Sequence, residues 1–229
     1  MTADGWLSSV TGIACYSAGA AVDAAQLVAK RDGFFFTKVP VSEVAQLERF
    51  VAAGFRIVDT HVVLECTGAQ HREPQAVRTA IASDHAPVLA IAERAFIWSR
   101  FHRDPRFPRE LANRVKRAWA ENCLAGKRGE EVLVVTEDGA AAGFLAVLKA
   151  GNAAVIDLVA VHPERQGRKL GETLTHAFAA RWAKRAERLR VGTQLANTAA
   201  MRLYERMGFR VAEAKYVLHA HVRNGAVLQ

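Results

Sequence analysis

Residues 161–174 read Val-His-Pro-Glu-Arg-Gln-Gly-Arg-Lys-Leu-Gly-Glu-Thr-Leu. The apolar run Ala-Val-Ile-Asp-Leu-Val-Ala-Val at 154–161 leads into this stretch, and the spacing of Leu170, Leu174, Ala177 and Phe178 leads out of it. The pattern predicts a strand, a short loop bearing glycine and arginine, and then a helix. Such a loop aims several backbone N–H groups at one spot, at the positive end of the helix dipole, and makes a site for phosphate. Downstream lies Asn197-Thr-Ala-Ala-Met-Arg-Leu-Tyr204-Glu-Arg-Met-Gly208-Phe209. On a helix, Asn197 and Tyr204 share one face and stand roughly 10 Å apart along the axis, so one extended ligand can touch both.

Together these motifs resemble the GNAT superfamily of acyl-CoA N-acyltransferases. That superfamily's pyrophosphate loop is Gln/Arg-x-x-Gly-x-Gly/Ala, and Gln166-Gly167-Arg168-Lys169-Leu170-Gly171 follows it except that Lys169 replaces the first glycine. The replacement costs backbone freedom. The element Asn-x-x-Ala-x-x-x-Tyr-x-x-x-Gly-Phe matches at every named position. The resemblance implies an α/β GNAT fold, with a mixed sheet flanked by helices and splayed between its fourth and fifth strands. It implies acetyl-CoA as cosubstrate, held by Leu158, Val159, Val161, Arg165, Gln166, Gly167, Arg168, Lys169, Leu170, Gly171 and Asn197. It also makes Tyr204 the acid that protonates the departing sulfur.

The chemistry of the residues agrees. A phenol with a pKa near 10 stays protonated at neutral pH, yet can donate to a thiolate of similar basicity. A core tyrosine beside an Asn N-cap is the alternative for the helix taken alone. Asp157 is a carboxylate in an otherwise apolar strand, and a charge placed there needs a partner or a task. It could deprotonate the acceptor amine, directly or through water, or it could pair with an arginine.

Composition bounds the remaining possibilities. At 229 residues, with 51% hydrophobic and 24% charged residues, the chain can bury a core and hold one and a half to two domains. No stretch is apolar enough for a membrane span. The uncharged segment Gly5 to Val22 lacks a basic flank, so neither a secretory signal nor membrane attachment is expected, and the cytoplasm is the expected compartment. Cys15, Cys66 and Cys123 are widely spaced and form no ligand cluster, so no metal is expected. The net charge of +8 suits either a nucleic-acid face or small polyanions such as coenzyme A and a nucleotide sugar. Arg181, Lys184, Arg185, Arg188 and Arg190 read as a solvated face, so no nucleic-acid partner is expected.

The order of elements reads as a strand at 76–82, a helix from Asp84 to Ala95 and a helix over 108–124. Strands follow at 132–136 and 141–148 around the Asp138-Gly139 turn, then at 153–161. A helix at 170–186, a strand at 189–193, the Asn197 helix, and strands at 209–214 and 216–221 complete the chain. Residues 1–75 hold a second signal. Gly54-Phe-Arg-Ile-Val-Asp-Thr-His-Val-Val-Leu64 lies over Gly208-Phe-Arg-Val-Ala-Glu-Ala-Lys-Tyr-Val-Leu218, each after an amphipathic helix. This is an internal repeat, with Phe50 where the second copy has Tyr204. It divides the chain into a truncated GNAT-like half at 1–75, expected to be scaffold, and a catalytic domain at 76–229, joined by a linker at 67–74.

The segment from Ala95 to Pro108, with Ser99-Arg100-Phe101-His102-Arg103 at its centre, resembles the N-acetyltransferases of TDP-4-amino-4,6-dideoxyhexoses, the TDP-fucosamine type used in polysaccharide biosynthesis. The resemblance makes these five residues the acceptor site. Arg100, His102, Arg103 and Arg106 are expected on the diphosphate, with Phe101 or Phe107 stacked on thymine. The implied partners are coenzyme A and a nucleotide sugar, with a homodimer as the candidate assembly. Two alternatives stand beside this reading: a GNAT acting on another small amine or a protein N-terminus, and a non-catalytic nucleic-acid binder.

Overall fold

The computed structural model describes residues 1–19, 31–67 and 73–228. Most of the expected linker at 67–74 therefore lies outside the described residues. In chain order the elements are β1 (Thr2–Ala3), α1 (Gly5–Thr11), β2 (Cys15–Ser17), β3 (Gly33–Pro40), α2 (Val44–Ala52), β4 (Arg56–Cys66) and β5 (Val77–Thr79). Three helices follow, α3 (His85–Ala95), α4 (Arg100–Arg103) and α5 (Arg109–Leu124), and then β6 (Glu131–Glu137), β7 (Ala140–Ala150) and β8 (Ala153–Val161). The chain ends with α6 (Leu170–Trp182), β9 (Arg188–Gln194), α7 (Thr198–Arg206), β10 (Arg210–Arg223) and β11 (Ala226–Val227).

The strands form a single sheet in the order β1-β2-β3-β10-β4-β9-β8-β7-β6-β5, with β11 on β10. Among the described residues, only β2/β3 and β8/β9 pair in parallel. Alternation along each strand sends side chains to two faces. Phe178 and Trp182 of α6 and Tyr204 of α7 pack with Leu64, Leu145 and Val191 on one face. On that face too, Phe50 of α2 packs with Phe35 and Leu218. The other face carries α3 and α5 over Val134 and Phe144, and α1 and α4 over Phe34.

The sheet splits where β8 and β9 part. They pair only from Ala153/Arg188 to Ile156/Val191. Beyond that point β9 stays bonded to β4 through Gly192↔Val63 and Gln194↔His61, and β8 stays bonded to β7. The inner edge of β8 from Asp157 to Val161 is left without a strand partner, and the split connects the two faces.

Residues 56–66 do not stand apart from the second half. They form β4, inserted between β9 and β10. The repeat appears as matched geometry. Gly54 and Gly208 both follow a helix end with φ of +92° and +87°, which only glycine adopts without strain. Phe55 N donates to Phe50 O and Phe209 N to Tyr204 O, each at 3.0 Å. The rings of Phe50 and Phe55 sit 5.1 Å apart, those of Tyr204 and Phe209 5.9 Å. The two repeat strands pair antiparallel about His61↔Lys215, which makes a local two-fold relation.

Two expected boundaries need correcting. The strands expected at 209–214 and 216–221 are one strand, β10, which runs through Lys215 and absorbs register shifts near Val211/Glu213 and Val217/Leu218. The helix expected to reach 186 ends at Trp182, whose carbonyl takes the amides of Arg185 and Ala186 in a terminal turn.

Candidate active site

The loop expected to bind phosphate is built by backbone conformation. Gly167 has φ of +80° and Lys169, which precedes α6, has φ +61° and ψ +11°. The left-handed conformation is thus required where the sequence carries lysine instead of glycine. No side chain caps α6, so its first amides remain available as donors. A cavity of about 320 Å³ lies over the loop, lined by Arg165, Gln166, Gly167, Lys169, Leu170 and Gly171, and by Leu203 and Arg206 of α7. Arg165 is also paired, donating to Glu137 and Asp138 at 2.8 Å each. Arg168 reaches Glu137 at 3.3 Å and stands outside that cavity. The acids of the Asp138-Gly139 hairpin thus hold both arginines expected on phosphate, and Arg206 is a cation the motif did not indicate.

A second cavity of about 380 Å³ fills the split in the sheet. Asp157, Leu158, Val159 and Val161 line it along β8, Gly192 to Gln194 along β9, and Asn197, Leu203 and Tyr204 from α7. Phe96, Ser99 and Lys116 close it from the opposite face. Asn197 caps α7, its Oδ1 accepting from Ala200 N at 3.3 Å. Tyr204 is 3% exposed, and burial pushes its phenol above the ordinary value. Its hydroxyl forms no hydrogen bond among the described residues. A buried, protonated phenol in an apolar slot can give a proton to an anion that forms there.

Asp157 is differently placed from a free base. Its Oδ2 accepts from Arg128 Nε at 2.6 Å and Trp119 Nε1 at 2.8 Å, and its Oδ1 accepts from Arg128 Nη2 at 2.8 Å. Both oxygens are occupied, one by the Arg128 fork and Trp119 and the other by Arg128, so neither is left without a donor. Of the two readings of this residue, pairing with an arginine is the one the geometry realises.

The third cavity, about 740 Å³, lies on the face of α1, α4 and α5. Lys38, Arg100, Lys127 and Arg128 line it, together with Trp6, Phe36, Phe101 and Trp119. Arg100 lies 4.0 Å above the Phe36 ring and 4.3 Å above Phe101, and burial lowers its pKa to about 10. Desolvation, with Arg100 and Lys215 nearby, lowers Lys38 to about 8. Cations and aromatic rings in one basin suit a ligand with a planar base and phosphates.

The Ser99–Arg103 segment is therefore dispersed. Arg100 and Phe101 face this basin, whereas Ser99 lines the split. His102 is locked between Ser99 Oγ at 2.6 Å and Asn113 Oδ1 at 2.9 Å. Arg103 lies 5.8 Å from the Trp98 ring. Phe107, offered for stacking on thymine, is 4% exposed in the core beside Phe34 and Phe101.

Behind Arg100 stands a buried relay. Arg100 Nη1 is 3.2 Å from His219 Nε2, and Asp104 Oδ2 is 2.7 Å from both His219 Nδ1 and His221 Nε2. Asp104, His219 and His221 are close enough together to hold a metal ion. Arg100 decides the tautomer: a guanidinium can only donate, so His219 Nε2 accepts and Nδ1 carries the proton given to Asp104. Burial alone would raise the Asp104 carboxyl, but the two imidazoles and the Arg106 amide hold it well below the usual range. The relay reads as support for Arg100.

Residues 91–209 match the acetyltransferase (GNAT) family. The chain belongs to that family. It is 30% identical over 186 residues to the dTDP-fucosamine acetyltransferase of Escherichia coli O6:H1, covering 80% of this chain and 79% of the relative. It is 31% identical over 137 residues to the spore coat polysaccharide biosynthesis protein SpsD of Bacillus subtilis, covering 59% of this chain but only 47% of that protein's length. Among solved structures, a GCN5-related N-acetyltransferase from Sphaerobacter thermophilus superposes with a TM-score of 0.60 at 20% identity, over 87% of this chain and 63% of that one. The shared architecture is the GNAT fold, a mixed sheet flanked by helices. No helix among the described residues is long and apolar enough to cross a membrane.

Sequence reading missed the other half of the basin. Trp6, Phe36 and Lys38 come from residues assigned as scaffold, and Trp119, Lys127 and Arg128 lie on or just after α5. Phe36 and Lys38 arrive by sheet pairing between distant strands, and Trp6, Trp119, Lys127 and Arg128 from α1, α5 and the loop after it, which leaves no local pattern.

Proposed function

We propose that the chain transfers the acetyl group of acetyl-CoA to the amino group of a nucleotide-linked sugar, in the TDP-4-amino-4,6-dideoxyhexose class. What carries this reading is the passage through the sheet. The phosphate loop and Tyr204 lie on one side of the split, and a basin of cations and aromatics opens on the other. In this reading the diphosphate of coenzyme A meets the amides of 166–171, and its pantetheine arm lies along the free edge of β8 past Asn197. The thioester then sits in the slot beside Tyr204. The nucleotide diphosphate lies against Lys38, Arg100 and Lys127, with Trp6 or Phe36 available to the base.

The neutral amine attacks the thioester carbonyl from the basin side. A C–N bond forms, the C–S bond breaks, and the departing sulfur takes the Tyr204 proton. Holding that proton at the right spot suits a phenol whose burial prevents ionisation at neutral pH. The amine's surplus proton returns to Tyr204 through water, which restores the phenol. Asp157 fixes Arg128 and Trp119 in the basin wall and acts as a positioning residue. The names of the two relatives agree with a sugar acceptor in polysaccharide synthesis.

Purified protein, acetyl-CoA and a panel of TDP-amino sugars, with mass detection of products, tests the reading. Arg100→Ala should raise the Michaelis constant for the sugar nucleotide at least about tenfold and leave that for acetyl-CoA nearly unchanged. Acetylation of peptides or cationic amines, with every nucleotide sugar ignored, would refute the acceptor assignment.

A further inference from the structure

Lys116 lies in the interior of α5 and is only 9% exposed. Its Nζ stands 4.7 Å from the Phe96 ring and 4.7 Å from the Trp119 ring. Phe96 lines the split and Trp119 lines the basin. The ammonium therefore sits at the boundary of the two cavities, and Lys116 shares the split with Tyr204. It has no hydrogen bond or carboxylate contact among the described residues. Asp157, the acid facing it from β8, is taken by Arg128 and Trp119. Two aromatic faces return less to a desolvated cation than burying an unpaired charge costs. An apolar residue would serve packing better.

We propose that Lys116 is an internal acetyl acceptor: with acetyl-CoA in the split and the basin vacant, the chain acetylates its own Lys116. The proposal rests on the placement of acetyl-CoA given above, and not on the identity of the sugar. The nitrogen lone pair attacks the thioester carbonyl carbon, forming a C–N bond as the C–S bond breaks. The sulfur takes the hydroxyl proton of Tyr204, and Tyr204 recovers a proton from the nitrogen through water. The products are N-acetyl-lysine and free coenzyme A.

Attack requires a neutral amine. Burial, then Arg100 from α4, Lys38 from β3 and Arg128 after α5, lower Lys116 to about 8, against a pull upward from Asp157. His102 of α4 also faces it across the helix pair. Roughly half of the amine is then neutral at pH 8, against well under a hundredth for an ordinary lysine. Acetylation removes the charge and places a neutral amide between the Phe96 and Trp119 rings. A bound acceptor should protect Lys116.

The test uses the full chain with acetyl-CoA alone at pH 8, followed by intact mass and peptide mapping. One acetyl group should appear, at Lys116. The rate should fall about 50-fold at pH 6, following the neutral fraction, and desulfo-coenzyme A should suppress it. Lys116→Arg should give an unmodified chain. An unacetylated Lys116 overturns the proposal, as does acetylation spread over exposed lysines and indifferent to desulfo-coenzyme A. If Lys116 is modified but no nucleotide sugar is acetylated or protects it, the acceptor reading falls and this proposal stands. If a sugar is acetylated while Lys116 never is, the reverse holds.

Discussion

Replacing Asp157 by Asn separates a base from an anchor. In the native chain the carboxylate takes two bonds from Arg128, at 2.6 and 2.8 Å, and one from Trp119 at 2.8 Å. An asparagine keeps one oxygen and turns an NH2 group toward a donor. If the oxygen takes the Oδ2 place it keeps Trp119 and Arg128 Nε, but Arg128 Nη2 meets another donor and the guanidinium loses its counter-charge. Breaking a buried pair by removing one member costs about 3–5 kcal/mol. Arg128 is 39% exposed while Asp157 is 8% exposed, so the freed guanidinium can turn into water, and about 2 kcal/mol is the better figure. For a chain of this length that corresponds to a fall in Tm of about 4–8 °C. Differential scanning calorimetry and urea unfolding would read it. Acetyl-CoA affinity should hold, the Michaelis constant for the acceptor should rise because Arg128 and Trp119 line its basin, and the acid limb of the pH profile should stay in place. A variant as stable as the parent, with turnover collapsed at every acceptor concentration and the acid limb gone, would refute the anchor and make Asp157 the base.

Removing the Tyr204 hydroxyl with Tyr204→Phe should leave stability and acetyl-CoA affinity intact and lower turnover about 100-fold; near-normal turnover would return the residue to the core. At the loop, Lys169→Gly should relieve a left-handed lysine that costs about 1–2 kcal/mol, offset by about 0.5–1 kcal/mol of glycine entropy. The net is a rise in Tm of about 2 °C, and Lys169→Ala, which keeps the Cβ, should show none of it. Asp59 is 6% exposed with Oδ2 unpartnered, and burial lifts its carboxyl to about 6 despite Thr60 N–H, Arg103 and Lys38. A folded pKa above the unfolded value means its stabilising contribution is complete below about pH 4 and lost as pH rises through 6. Asp59→Asn should therefore be more stable than the parent at pH 7.5, by about 3 kcal/mol, with the advantage gone below pH 4 in urea titrations. A constant difference across that range would dissociate the effect from ionisation.

What could be read in the sequence follows from distance along the chain. The helix from Leu170 declared itself because Leu174, Ala177 and Phe178 repeat at helical spacing and are all buried. The loop and the Asn197–Tyr204 pair were legible because each is local: a turn conformation, a cap and one helix face. The repeat was legible because Gly54 and Gly208 impose the same helix stop. Strand β10 was misread as two because Ala214-Lys215 interrupts its apolar pattern. There the strand lies with β3 on one side and β4 on the other, so its hydrogen bonds carry it across the polar residue.

The basin resisted reading for a physical reason. Lys38, Arg100 and Arg128 are separated by more than sixty and then nearly thirty positions, and no residue near any of them announces the others. Lys38 faces the basin because β3 pairs with β10, setting Lys38 opposite Val217. Val217 in turn lies opposite Asp59 on β4. Arg128 arrives through a carboxylate on β8, a strand whose sequence left Asp157 open to a base's task or an arginine partner. Read in isolation, the arginines and aromatics of 100–107 formed one plausible phosphate cluster; in the fold, Phe107 joins the core and His102 is locked between Ser99 and Asn113. Of that segment's cations, Arg100 alone lines the basin, and it does so because Asp104, from the same segment, fixes His219 behind it. A motif of charges along a short loop is thus divided by the fold into those that meet the cavity and those that hold the first group in place.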